Sequence, residues 1–333
     1  MSRDLQRRIR SSAGPAALFA LVVVLLFLAV YVLPPHLADR DLGGAEVPPK
    51  DLASARNSVR STLLQALGGA FFIATALFTW RQLRISQRQL RVSEDEQTAS
   101  RFTKAVEQLG GSTLDMKLGG IYSLERLAYD SARDHGPVVE VLSAYVREHA
   151  PWPPPSGGVT PKEQVPEPDV QAALTVLGRR RIEHEEDRPE RINLCRVDLR
   201  GADLRDANFS HVLLNGAHLE GADLRKATLR ETRLVEAHLN DVRGRKVVLA
   251  EAKLIQAHLD GAQLFGADLR GAKLMDAWLQ GARLAEAKLQ GAEVHRAHLE
   301  GAYLGTAETE GILGLDTAFS DDATTWPKSA APT

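Results

Sequence analysis

Two apolar runs near the start of the chain and a five-residue hydrophobic rhythm over its last third divide this sequence into unlike parts. The first run, PAALFALVVVLLFLAVYVL over 15–33, carries no charge and as a helix covers ~28 Å, close to the hydrocarbon thickness of a bilayer. It is too long for the apolar segment of a signal peptide and lacks the polar face of a core helix. A transmembrane helix is therefore expected over 15–33.

The second run, STLLQALGGAFFIATALFTW over 61–80, is also uncharged, and its Gln65 lies near one end, where water or headgroups satisfy it. Ala66, Ala70 and Ala74 with Gly69 give a small-residue face on which the first span can pack, forming a hairpin. Arg3, Arg7, Arg8 and Arg10 precede the pair and Arg81, Arg84, Arg88 and Arg91 follow it, whereas the loop 34–60 holds only Arg40, Lys50, Arg56 and Arg60. The positive-inside rule then puts the N-terminus (1–14) and everything after 80 in the cytoplasm and the loop outside. The expected location is the plasma (inner) membrane, multi-pass, with the lipid bilayer as one partner.

After the second span, residues 81–149 read as a cytosolic helical unit. Its first stretch lacks Pro and is built from good helix formers. Two amphipathic stretches follow, one with Ile121, Leu124, Leu127 and Ala128 on a face, the other with Val138, Val141, Leu142 and Val146. Residues 150–168 hold seven of the chain's 16 prolines and read as a linker. A capping helix is expected over 169–190, with Asp169 as its N-cap.

From 191 to 310 the chain repeats every five residues, as in GAHLE, GADLR and GARLA. Between Leu194 and Leu304 there are 23 pentads, 20 with Leu at the centre, the exceptions being Phe209, Val294 and Gly244; Ala stands two positions earlier in 17. A helix would rotate successive leucines by ~140° around its axis, and a flat strand would alternate them between faces, so neither buries the pattern. A chain that turns a corner every pentad does. The A-(D/N)-L-x-x pattern resembles the pentapeptide repeat family. That resemblance implies a right-handed quadrilateral β-helix of four pentads per coil, so the whole reads as a two-span α-helical membrane hairpin, a small α-helical unit and an all-β pentapeptide repeat solenoid. At Gly244 a bulge or short loop is expected. The tail 311–333, with Phe319, Trp326 and Pro327, should cap the far end.

Stacking at 20 residues aligns Asp198, His218, His238, His258, Trp278 and His298. His218, His238 and His258 are weak metal or proton-sensing candidates; side chains one coil apart point the same way, so a structural stack is expected. Arg205, Arg225 and Arg245 form another column, the first two beside Asp203 and Asp223. Val235, Ile255 and Met275 form an apolar stripe near Cys195, and with the arginines they are the candidate partner-contact residues.

Composition narrows the function. The net charge is -2, and 192–310 holds 16 Lys+Arg against 17 Asp+Glu. Nucleic acid is thus not an expected partner, and the continuous negative field of the DNA mimics that bind topoisomerases, which the family resemblance brings in as an alternative, is absent. A single cysteine excludes an intramolecular disulfide and a Cys-based zinc site. No P-loop, G-x-S-x-G, G-x-G-x-x-G or H-E-x-x-H motif occurs. The expectation is a non-enzymatic, cofactor-free scaffold or interaction protein presenting its rod to a cytosolic protein partner, with a metal- or pH-responsive ladder as the other alternative. Self-association could use the spans or the rod.

Overall fold

The computed structural model describes residues 24–25, 27–33, 48–153, 165–184 and 192–327. The chain divides into two compact units, Met1–Asp95 and Glu96–Thr333.

In the first unit most of the expected span 15–33 lies outside the described residues, as do 1–14 and 34–47; Leu28–Val32 forms a π-helical turn. Helix α1 (Pro49–Leu109) begins well before the expected start of the second span. The loop 34–60 is therefore shorter than the sequence reading made it, because Pro49 suits the first helical turn, Asp51 complements the helix dipole there, and no Pro or Gly interrupts 50–60. Among the described residues one helical stretch, Arg56–Gln87, is long and apolar enough to cross a membrane, and none of its apolar window is buried. It contains the expected span 61–80.

In the second unit the end of α1 joins α2 (Leu114–Asp130), α3 (Ala132–His149) and α4 (Pro168–Gly178) around buried Ala105, Ile121, Leu124, Leu142 and Leu174. The hydroxyls of Thr113 and Ser131 cap α2 and α3 by accepting from the N–H groups of Met116 and Asp134. Gly120 sits where a Cβ would lie 2.7 Å from the Ala105 carbonyl oxygen and 2.5 Å from the Leu109 nitrogen, so its bareness lets α2 approach the backbone of α1.

Asp169 is not the N-cap that its position suggested. Helix α4 starts at Pro168, after Glu167, and the Asp169 carboxylate turns inward to accept hydrogen bonds from Lys117 Nζ and Tyr145 Oη, both at 2.7 Å. Burial, followed by the bond to this carboxylate, pushes the Tyr145 phenol up to about 12. The capping helix is also shorter than expected, ending at Gly178 with a 3-10 turn over Ile182–His184; residues 185–191 lie outside the described ones. Gly178 ends it against the rod, since a Cβ there would meet Ala207 Cβ at 2.7 Å. The expected linker is docked at its start: Pro151 pairs with Val197, and Trp152 donates its N–H to the Arg196 carbonyl. Residues 154–164 lie outside the described ones.

From Asn193 to Glu293 each pentad contributes one short extended segment that bridges in parallel to the residue 20 positions later, as in Leu213 with Arg233 and Arg233 with Lys253. Four pentads therefore complete a coil, as the family resemblance implied. Inward positions are dry: Ala202, Leu219, Leu254 and Leu269 are each 0% exposed. At each corner the Ala N–H bonds back to the preceding Leu carbonyl, as Ala202 does to Leu199 at 3.1 Å. The residue before that Ala occupies the left-handed region, which Gly221 (φ 67) adopts freely and Lys226 (φ 60) adopts at a cost.

Gly244 makes no bulge. Its coil continues in register, Arg243 bridging both Asp223 and Gln263. The space left by the missing Leu is filled from above and beside: a Cβ on Gly244 would lie 2.8 Å from Leu264 Cδ2 and 3.2 Å from Val247 Cγ1. Val242 and Val247 replace the usual Ala on either side of it, adding back volume.

Each end of the rod is met by non-repeat residues. At the first coil, the N–H of Asp198 bonds to the Ala150 carbonyl, that of Asn208 to Gly178, and that of Asp203 to Gln171 Oε1, whose amide in turn donates to the Asp203 carbonyl. Arg147 donates to the Asn193 carbonyl at 2.6 Å. The helical unit thus satisfies a sheet edge that would otherwise recruit another chain. At the far end the tail continues the coil, with Phe319 bridging His298 and Thr325 bridging Tyr303, and Trp326 packs on the core.

Candidate functional site

The histidine column is longer than the sequence suggested. Because the residue before each central Leu projects outward from an extended segment, neighbours one coil apart stack ring on ring. His218 and His238 lie with centroids 4.2 Å apart and planes 12° apart, His238 and His258 at 4.8 Å and 3°. Trp278, His298 and Phe319 continue the stack at centroid spacings of 5.2, 4.9 and 4.6 Å. At the other end Trp152 closes it, 3.7 Å from the His218 ring, and the Arg200 guanidinium lies over Trp152 at 4.9 Å. Trp152 and Phe319 stand outside the five-residue rhythm, so the repeat alone gave no sign of them.

Beside the rings, on the far side of each central Leu, runs a second column of Arg200, Glu220, Asn240, Asp260, Gln280 and Glu300. Glu220 Oε1 lies 2.8 Å from His218 Nδ1, and Glu300 Oε1 lies 3.1 Å from His298 Nδ1. The other oxygens of Glu220 and Glu300 are buried and have no hydrogen-bond partner among the described residues. His218 is 7% exposed. One donor atom each from His218, Glu220 and His238 fall within 4.8 Å of one another, the arrangement of a metal-binding cluster. Burial holds the His238 imidazole below its ordinary value; the His218 and His258 rings reinforce this, and the Glu220 carboxylate opposes it.

The arginine column behaves differently along its length. Arg205 and Arg225 each grip the Asp two residues before them, with closest contacts of 2.5 Å to Asp203 and 2.6 Å to Asp223. The bond from Arg205 holds the Asp203 carboxyl below the usual carboxylate range. Arg205 and Asp203 are both about half exposed, so that pair contributes little to stability, whereas Asp223 is buried and its bonds to Arg225 satisfy a carboxylate held out of water. One coil on, Arg243 stands where Asp would be, and Arg245 lies over the Phe265 ring at 5.2 Å. Val235, Ile255 and Met275 are half-buried side by side, as is Cys195. The larger exposed apolar groups of the rod are Trp278, Tyr303, Leu313 and Phe319.

The fold and these columns define a repeat protein, and comparison with known families agrees. The family model "Pentapeptide repeats" matches in eight copies over 190–214, 202–241, 245–277 and 276–305. Among solved structures the chain is similar to HetL, a pentapeptide repeat protein involved in heterocyst differentiation regulation from the cyanobacterium Nostoc sp. strain PCC 7120, with 30% identity over 40% of this chain and 74% of that one (TM-score 0.24). It is also similar to the pentapeptide repeat protein Rfr23 from the cyanobacterium Cyanothece 51142, at 25% identity over 43% of this chain and 96% of that one (TM-score 0.23). QnrB1, a plasmid-mediated fluoroquinolone resistance protein, matches at 19% identity over 38% of this chain and 65% of its own (TM-score 0.30). No curated protein matches. The chain belongs to the pentapeptide repeat family.

Proposed function

We propose that this protein is a membrane-anchored, non-enzymatic interaction protein that holds a pentapeptide repeat rod at the cytosolic face of the membrane for a protein partner. The observation that carries this reading is a contrast in how the two parts use their surfaces. The rod bridges coil to coil along its length and spends its interior on packing, so what it offers is a fixed array of outward columns at one-coil spacing. Along Arg56–Gln87, by contrast, none of the apolar window of a long helical stretch is buried among the described residues, and a bilayer is the solvent that such a surface suits. The arginines at 81, 84, 88 and 91 then favour the cytosolic side for the rod.

A DNA-mimic role would need one continuous acidic face. The rod instead alternates signs, with Arg225 and Arg245 on the same column and Lys226 and Lys246 beside them. Membrane fractionation with alkaline extraction tests the anchoring. The full chain should stay with the membrane pellet and a chain lacking 1–95 should leave it; release of the full chain would overturn the proposal. Photocrosslinkers placed at Ile255 and at Arg245 should each give one defined protein adduct, and a rod that crosslinks only to lipid would remove the partner from the account.

A further inference from the structure

We propose that His218, Glu220 and His238 form a binding site for a divalent transition-metal cation of the zinc type, a reading independent of the membrane anchor. The ladder by itself offers parallel rings whose lone pairs do not converge, which is why a purely structural stack was expected. Glu220 changes that geometry, because it comes from the neighbouring column and turns its carboxylate toward the rings.

Around a tetrahedral zinc ion with bonds of about 2.0–2.1 Å, donor atoms lie ~3.3 Å from one another. His218 Nδ1 and Glu220 Oε1 are already 2.8 Å apart. The three donors span no more than 4.8 Å, so closure asks for a turn of the half-buried His238 side chain and no movement of the backbone. Two imidazoles and a carboxylate with water in the fourth position match zinc, nickel or copper better than calcium or magnesium, which take oxygen donors.

The polar accounting points the same way. Glu220 carries one oxygen that is buried and, among the described residues, without a hydrogen-bond partner, a costly state for a carboxylate that a cation would relieve. Nearby Arg200 grips Asp198 through Nε at 2.7 Å and Nη2 at 2.6 Å, and its charge attracts Glu220 without a hydrogen bond to that buried oxygen. Trp152, stacked on the outer side of His218, walls the site. Ion entry requires a lone pair on the bound ring nitrogen, so a His218 ring bound through Nδ1 carries its proton on Nε2.

The rod carries its own control. His298 and Glu300 reproduce the first two groups, including the buried unpartnered oxygen, but their ladder neighbours are Trp278 and Phe319, which supply no ligand. Among the described residues, only the step from His218 to His238 completes three donors.

Titration of the full chain in detergent with Zn²⁺ near neutral pH, by calorimetry, decides it. One ion per chain is expected, with affinity lowered roughly tenfold or more in Glu220→Gln and in His238→Gln and unchanged in Glu300→Gln. Zinc-edge X-ray absorption of the loaded chain should show nitrogen and oxygen neighbours with imidazole outer-shell scattering. Circular dichroism establishes that each variant retains the rod, and if His238→Gln does not, Glu220→Gln alone carries the decision. Absence of binding by the wild-type chain, or binding that Glu220→Gln leaves intact, would overturn the assignment.

Discussion

Restoring the repeat's own preferred residue at Gly244 should weaken the rod. In Gly244→Leu the first added atom already meets Leu264 Cδ2 at 2.8 Å and Val247 Cγ1 at 3.2 Å, where comfortable carbon contacts lie at about 3.5–4.0 Å. Three further carbons would have to enter space those two side chains occupy. Two effects favour the substitution: the loss of glycine's freedom in the unfolded chain, about 0.4–1 kcal/mol at a backbone angle that tolerates a side chain, and about 1.5–3 kcal/mol for burying a Leu if room existed. The room is absent, so the second gain is not realised and an overpacking cost of about 1–3 kcal/mol takes its place. The expected result is a thermal midpoint lowered by several degrees, at about 2–4 °C per kcal/mol for a domain of this size, read from the β signal in circular dichroism. Adding Val247→Ala should recover much of the loss, giving a favourable coupling of about 1 kcal/mol or more in a double-mutant cycle. A single Gly244→Leu variant more stable than wild type would show that the coil holds a void there, and the packing account of its undisturbed register would be wrong.

Other outcomes follow from the same structure. Leu269→Asp should unfold the rod, since it puts an unpaired carboxylate at a position 0% exposed, while Arg270→Glu, at a guanidinium about half exposed, should cost far less even though it breaks the pair with Asp268; equal thermal midpoints would remove the five-residue register. Asp169→Asn should lower stability by about 1.5–3 kcal/mol through its bonds to Lys117 and Tyr145. The Asp169 pKa is depressed by those bonds and the Val170 N–H, which together outweigh the opposing effect of burial; its contribution is therefore present above the ordinary carboxylate pKa and lost as pH falls through the folded value, so a wild-type chain no more acid-sensitive than the Asn variant would contradict it. His218, His238 and His258 changed together to Gln should keep the fold. Because the folded His238 pKa lies below its ordinary value, it costs stability only as pH falls below about 6.5, and the triple variant should lose less stability than wild type on acidification from neutral pH.

The parts of the fold that rest on repetition could be read directly from the chain. Twenty leucines at one spacing admit a single kind of backbone, and the ring column followed from the same register. What escaped depends on residues far apart in sequence. Asp169 looks like an N-cap because its partners Lys117 and Tyr145 lie on other helices. Gly244 looks like a break because Leu264, a coil away, fills its place. Trp152 sits among prolines that signal a linker, and only the docking of Ala150 to Trp152 on the first coil brings it onto His218. Glu220 was one of many outward acids, and nothing in the pentad marked it as turned toward the ladder with a buried oxygen. The stripe of Val235, Ile255 and Met275 was legible as a column, and the structure leaves all three half-buried.

The central claim, a rod held at the cytosolic face of a membrane, is tested most directly by the accessibility of single cysteines. Cys195→Ser removes the native thiol, and Ala45→Cys or Ser100→Cys supplies one reporter at a time. A membrane-impermeant maleimide applied to intact cells should label the chain at 45 and leave 100 untouched until the cells are opened. Labelling at 100 in intact cells with 45 protected would put the rod on the other side and contradict the account.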